Sequence, residues 1–466
     1  MYGPPPDPRQ VTVPAGLADL PEAWLACLLI GALLTALALA RRPPQALRAM
    51  LFIGGQAVIL TAPLAWTLER YVYGAFPTLD KEGSLLFYLD GVHERMLLHP
   101  LQAASDPAAR LIGVHTGHLW VTALLDLVAS PLGAFNLQAL LYPALAWWAA
   151  WLLLRDLCGS GRVALPLAFA WGMGLHVFRD LNWYTIEKAA IFWLPLFLWA
   201  LHRAWALDRS KGSRPWLWPG LAGLLFALMS WNNLYLGLVG AAIGAIAAPC
   251  VLPALRSTRP AAERRAAGRL LLALGACALM ASPLVLMQWA LMHGPQSLGD
   301  PERFLWERAA LDSFTLVPPR WNRLELWRAL HPLAVGLAAY GAFTLRGDPR
   351  VRFAGLAGGL LFLLSLGPLL LPGVENPLYM AVRAAVPGFW RMAKPETFFH
   401  GSWLLMCAVA SIALARLAPR PRSLALIHAA FVLLWVLLVR GHPVYPGLSQ
   451  PNHDALDPGW EERVFR

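Results

Sequence analysis

The chain has 466 residues, of which 58% are hydrophobic and only 14% charged, and its formal net charge is +11. A soluble chain carries about 25% charged residues, so this composition excludes a water-soluble enzyme. The basic residues sit in short connections between apolar runs, which makes them markers of topology and excludes nucleic acid as a partner.

From the N-terminus, the first twenty residues set Asp7 and Asp19 against Arg9 and lack the basic start of a cleavable signal. Twelve charge-free apolar runs follow, at roughly 23–40, 49–67, 134–154, 163–178, 189–201, 216–231, 235–255, 270–292, 332–345, 353–371, 401–415 and 423–439. At about 20 residues per span, they predict an all-α fold, a polytopic membrane bundle of about 12 transmembrane helices. None contains Lys, Arg, Asp or Glu, so no span is expected to bury an ionisable group of the kind that ion coupling needs. The five cysteines (Cys27, Cys158, Cys250, Cys277, Cys407) show no close pair at metal-ligand spacing, and neither a disulfide framework nor a zinc site is expected.

The connections alternate in charge. Those at 41–48, 155–162, 202–215, 256–269, 346–352 and 416–422 total 58 residues with 20 Lys+Arg and 4 Asp+Glu, and the rest of the chain holds 18 and 23. The positive-inside rule puts the first set in the cytoplasm and both termini in the periplasm, as expected of a multi-pass protein of a bacterial inner membrane. Every cytoplasmic connection has 14 residues or fewer, whereas the external segments 68–131, 293–331 and 372–400 have 64, 39 and 29. Chemistry is therefore expected outside, where an activated substrate arrives attached to lipid rather than as a nucleotide sugar.

This divides the chain into four parts: 1–48, an external N-terminus with an additional helix; 49–255, a first transmembrane module with loop 68–131; 256–439, the C-terminal helices with loops 293–331 and 372–400; and 440–466, an external tail. Within 68–131, residues 84–99 place Leu85, Leu86, Leu89, Val92 and Met96 on one side and Asp90, His93 and Glu94 largely on another, the spacing of an interfacial helix. After His115-Thr116-Gly117-His118, the run Leu119 to Ala129 is too short to cross and reads as a second interfacial helix.

The layout of a transmembrane helix, a long first external loop with two juxtamembrane helices and then a bundle of spans resembles the GT-C superfamily of membrane glycosyltransferases. The residues that carry the resemblance are Asp80 at the head of the first juxtamembrane helix, the second external loop Arg179-Asp180-Leu181-Asn182-Trp183-Tyr184-Thr185-Ile186-Glu187-Lys188, and Val386-Pro387-Gly388-Phe389-Trp390-Arg391-Met392-Ala393-Lys394-Pro395-Glu396-Thr397-Phe398-Phe399. It implies a polyprenyl-phosphate-linked sugar as donor. Two departures stand beside it: the helix at 23–40 is an extra span, and Asp80-Lys81-Glu82 occupies the place of a paired acidic motif.

Sugar transfer from a lipid phosphate needs a base for the acceptor hydroxyl, and a carboxylate within hydrogen-bond reach supplies one. Asp80 is the first candidate, although an acid before a helix also serves as an N-cap. The leaving phosphate calls for cations, and Arg391 and Lys394 fit that role, with Arg179 and Arg383 as alternates. Glu187 is placed to orient the acceptor or, with Asp80, to hold a divalent cation; two oxygen ligands are fewer than such an ion takes, and no metal is assigned. Asp180 and His118 are further substrate-binding candidates, and each has a plain competitor: Asp180 pairs with Arg179, and His118 caps a helix. Asn232 and Asn233 read as residues that satisfy backbone groups at a turn.

Three functions fit this sequence. The first is a periplasm-facing glycosyltransferase acting on a lipid, glycan or protein, with membrane lipids and the lipid-linked sugar as partners. The second is a noncatalytic GT-C-like scaffold within an envelope complex. The third is a multi-span transporter or flippase, for which strongly unequal external loops and the absence of an evident repeat argue poorly.

Overall fold

The computed structural model describes residues 22–40, 45–65, parts of 121–128, 131–174, 176–177, 189–206, 216–256, 258–293, 330–371, 374–386, 389, 395–417 and 419–439. In chain order the helices are α1 (Glu22–Ala40), α2 (Gln45–Ala65), α3 (Pro131–Cys158), α4 (Gly161–Gly172), α5 (Trp193–Ala206), α6 (Leu217–Asn232), α7 (Leu234–Val251), α8 (Ala261–His293), α9 (Pro332–Thr344), α10 (Pro349–Ser365), α11 (Pro377–Ala385), α12 (Phe398–Arg416) and α13 (Pro421–Val439). A two-strand antiparallel clip, β1 (Leu369–Leu371) with β2 (Val374–Glu375), is the single sheet among the described residues. The fold is all-α, and each of the twelve apolar runs contains a helix. Three stretches, Leu234–Leu255, Ala261–Pro283 and Pro395–Arg416, are long and apolar enough to cross a membrane; Leu25–Leu39, Gln45–Thr61, Pro332–Thr344 and Pro421–Leu437 are apolar but shorter.

Helix α12 is apolar on every side, and such a helix belongs in the interior. It is surrounded by α3, α4, α7, α9 and α10, and nearly all of it is buried. Its small residues, including Ala408, Ala410 and Ala413, let the neighbours approach. Helices α5, α6 and α8 pack as a second group, with α5 also against α3. The pair α1 and α2 is joined by a closer contact and docks on α3. A Cβ added at Gly55 would lie 2.6 Å from the Gly31 carbonyl oxygen, so the two backbones touch. Small residues at such crossings allow the dispersion contact that holds helices together where no hydrophobic drive exists.

Two ends of α4 and α10 differ from the sequence expectation. The run 353–371 was expected to be one span, but α10 stops at Ser365 because Gly367 adopts φ +71°, a left-handed conformation that glycine takes without cost. Asn376 then joins two helix ends. Its amide donates to the carbonyls of Leu363 (2.6 Å) and Gly367 (2.8 Å), while its side-chain oxygen accepts from the Tyr379 N–H at the start of α11. Orphan groups at both termini are thereby satisfied by one side chain. The segment 372–400, expected as a loop, contains α11, and the run 163–178 ends as helix at Gly172. Asn233 caps α7 by accepting from the Leu236 N–H at 3.2 Å, as the turn reading anticipates.

The ends of α3, α5 and α12 and the starts of α6, α8 and α10 form one arginine-rich end of the bundle. Asp156, in the last turn of α3 beyond the apolar run, binds Arg155 at 2.9 Å, Arg203 and the Trp199 indole at 2.8 Å. Arg350 grips Asp348 at 2.8 Å and donates to the Leu157 carbonyl at 2.7 Å, which fastens the α9–α10 turn to the end of α3. Arg269 donates to the Ala204 carbonyl at 3.0 Å, which ties α8 to α5. Burial opposes ionisation of Asp156, but the Trp199, Arg155 and Arg203 contacts outweigh it and hold the carboxyl below its usual range.

Candidate functional site

At the opposite end, α4 stops in an apolar setting where its last carbonyls have no helical partner. Two indoles from distant parts of the chain supply donors, and a third, in α4 itself, donates back to α12. Trp403 Nε1 donates to the Ala170 carbonyl at 3.3 Å, Trp435 Nε1 donates to the Met173 carbonyl, and Trp171 Nε1 reaches back to the His400 carbonyl at 3.1 Å. In a medium without water an unpaired carbonyl is costly, so these bonds fix where α4 ends and how α12 lies against it. Gly172 is needed for the same junction, because any Cβ there would strike the Trp147 backbone.

This clamp brings two histidines together. The rings of His176 and His400 lie 5.1 Å apart, His176 sits 6.1 Å from the Trp171 ring and 6.5 Å from Phe399, and both imidazoles are buried. His176 Nε2 makes no hydrogen bond. Gly174 lacks a side chain where a Cβ would overlap the His176 ring, so the turn after α4 is shaped around this imidazole. One turn before α12, Glu396 is 4% exposed within the 3-10 segment Pro395–Thr397. Ionisable groups with so little water around them are expensive, which makes these positions candidates for function.

Helix α11 extends the cluster. Tyr379 is buried against Phe389 at 5.4 Å, and Phe389 packs on Phe398 at 6.0 Å. Burial pushes the Tyr379 phenol up, Arg383 pulls it down and Glu396 adds to the rise. Tyr379 is thus within electrostatic reach of both a cation and an acid. Together, the described groups offer two imidazoles, a carboxylate, a phenol and a guanidinium around the junction of α4, α11 and α12. Such a set can accept and donate protons and hold an anion. Among the described residues, no group of three His, Cys, Asp or Glu has an arrangement that could hold a metal ion.

Of the residues expected from sequence, Asp80, His118, Asp180, Glu187, Arg391 and Lys394 lie outside the described residues, as does Arg179. Arg383 lies inside them, at this junction. The chain leaves α4 through His176 and Val177 toward 178–188 and enters α12 through Pro395–Thr397 from 390–394; the two described anchors of these segments meet at the histidine pair. The aromatics of the 386–399 segment, Phe389, Phe398 and Phe399, are core residues of the clasp.

Sequence reading missed His176, His400, Glu396 and Tyr379 as a group. The expectation that no span buries an ionisable residue is corrected here, because it counted Lys, Arg, Asp and Glu and passed over histidine. His176 falls in the run 163–178 and His428 in 423–439, where the His428 ring lies against Trp147 at 5.9 Å, Phe169 at 6.0 Å and Phe52 at 6.3 Å. A histidine inside an otherwise charge-free run was the available signal.

No protein-family model matches the chain. No curated protein matches it either. Among solved structures, the chain is similar to the apo oligosaccharyltransferase of Archaeoglobus fulgidus, with a TM-score of 0.43 and 14% identity over 92% of this chain and 56% of that one. The chain therefore spans little more than half the length of that protein.

Proposed function

We propose that the protein is a membrane glycosyltransferase that faces the periplasm and transfers a sugar from a polyprenyl-phosphate-linked donor to a lipid, glycan or protein acceptor. In this reading twelve helices span a bacterial inner membrane, the arginine-rich end faces the cytoplasm and the histidine pair lies at the periplasmic mouth. The observation that carries it is the junction of α4, α11 and α12, where His176, His400, Glu396, Tyr379 and Arg383 gather at described positions that adjoin, in sequence, the stretches bearing Asp180, Glu187, Arg391 and Lys394. Asp80 then acts as the base, Glu187 orients the acceptor, and Arg391 and Lys394 meet the leaving phosphate, with Arg383 reinforcing them. Asp180 and His118 complete the substrate contacts.

The test is complementation of a deletion strain. Asp80→Asn should reach the membrane at normal abundance and fail to restore the glycan profile lost in the deletion. Full restoration by that variant would discard the mechanism. Alkaline phosphatase fused after Arg209 should be inactive and a fusion near Asp106 active; activity at the first position would reverse the orientation.

A second reading is favoured by the two histidines within apolar runs, His176 and His428, since proton-coupled transporters place such groups inside the bundle. A transporter would carry its substrate into proteoliposomes chemically unchanged, and a glycosyltransferase would not.

A further inference from the structure

We propose that the arginine-rich end carries a binding rim for the phosphates of anionic phospholipids, formed by Arg162, Arg346, Arg352 and Arg416. Among the described residues of this end there are three carboxylates, and an arginine holds each of them: Arg155 with Asp156 at 2.9 Å, Arg259 with Glu263 at 3.9 Å and Arg350 with Asp348 at 2.8 Å. Arg162, Arg346, Arg352 and Arg416 are all exposed and have no carboxylate of the described residues within salt-bridge distance. The bond from Arg350 to the Leu157 carbonyl draws the α9–α10 turn with Arg346, and the first turn of α10 with Arg352, against the end of α3. Arg416 at the end of α12 is within electrostatic reach of Asp348 in the same turn. Arg162 lies in the first turn of α4, four residues after the Cys158 end of α3 to which the α9–α10 turn is tied, so the four guanidinium groups share one rim whose described acids are already engaged.

The depth of the rim selects the ligand. Trp205 and Trp216, 37% and 70% exposed, lie at this same end, at the close of α5 and just before α6. Exposed tryptophans at helix ends mark the headgroup level of a bilayer. At that level the abundant anion is a lipid phosphate, and the planar guanidinium fork pairs with its oxygens in two parallel hydrogen bonds. Basic clusters beside membrane helices recognise anionic headgroups on these grounds. The inference rests on the membrane reading alone and holds whichever compartment this end faces.

The experiment uses the full chain in lipid nanodiscs of phosphatidylcholine alone and of phosphatidylcholine with an equal part of phosphatidylglycerol. The wild type should melt at a higher temperature in the second, retain phosphatidylglycerol through purification, and lose both effects as salt is raised. Each arginine replaced by glutamine should lower the affinity for phosphatidylglycerol about fivefold, so Arg162→Gln, Arg346→Gln, Arg352→Gln and Arg416→Gln together should abolish the shift. Pairwise variants serve if the quadruple one does not fold, and Arg346→Lys with Arg352→Lys, which keeps the charges and loses the fork, should give a shift between those of the wild type and the matching glutamine pair. An equal shift in wild type and variants, or none in the wild type, overturns the proposal. So does an equal shift from inorganic phosphate added to phosphatidylcholine discs, which would mean a soluble anion is the ligand. Failure here leaves the glycosyltransferase reading untouched, because Asp80→Asn is scored on glycan profile and not on lipid dependence.

Discussion

The two ends of the bundle use polar side chains in opposite ways. At the arginine-rich end each described carboxylate is matched: Asp156 joins α3 to α5 through Arg203 and Trp199, and Asp348 with Arg350 joins α10 to α3. At the other end neutral indoles do the joining, His176 lies against His400 and against the Trp171 and Phe399 rings, and Glu396 is buried. Where water is near, ion pairs fasten helices at little desolvation cost. Where water is scarce, uncharged donors fasten the backbone, and a buried titratable group signals chemistry more than cohesion.

The contrast can be broken most severely at Gly172. Its Cβ position is occupied by the Trp147 backbone, so Gly172→Leu must force α3 and α4 apart and undo the junction that holds the histidines. A loss of about 3 kcal/mol is expected, read as a collapse of the monodisperse peak in fluorescence-detected chromatography. A variant that melts like the wild type would show that α4 does not need this approach.

At the arginine-rich end, Asp156→Ala leaves Arg155 and Arg203 without their acceptor, with a side-chain exposure of 39% for Arg203 and 11% for the lost carboxylate. Hydrogen bonds to charged groups are worth about 2 kcal/mol, and partial hydration of Arg203 keeps the loss near or below that figure. The pH dependence has a definite sign. The folded Asp156 carboxyl lies below its usual range, so its contribution is present above the ordinary carboxylate value near pH 4 and fades as pH falls through the lower folded value. Melting curves from pH 7 downward should therefore converge for wild type and Asp156→Asn. Parallel curves would remove Asp156 from the fastening.

The smallest expected change in stability is at the opposite end. His176→Phe replaces an imidazole whose Nε2 has no hydrogen bond with a ring suited to Trp171 and Phe399. Stability should stay within about 1 kcal/mol of the wild type or rise, while complementation of the deletion strain fails. Normal complementation would make His176 a packing residue and weaken the site.

Much of the architecture was legible along the chain. Each apolar run contains a helix, and the alternation of arginine-rich and acid-rich connections agrees with Asp156, Arg203, Arg269 and Arg350 meeting at one end. The candidate site was far less legible. Arg383 was named as an alternate cation and stands at the junction, but His176 and His400 are 224 positions apart, and nothing in local pattern pairs them. Histidine escaped notice because a charge-free run was defined without it.

Hydropathy and charge are properties of neighbouring residues, so the sequence alone determined that the chain is helical and which connections are basic. Helix ends were decided elsewhere. The stop of α4 at Gly172 depends on indoles from Trp403 and Trp435, more than two hundred residues away, and the stop of α10 on Asn376 reaching back to Leu363 and Gly367. An orphan carbonyl in a dry interior takes whichever donor the packing brings within about 3 Å, and only the tertiary structure fixes which donor that is.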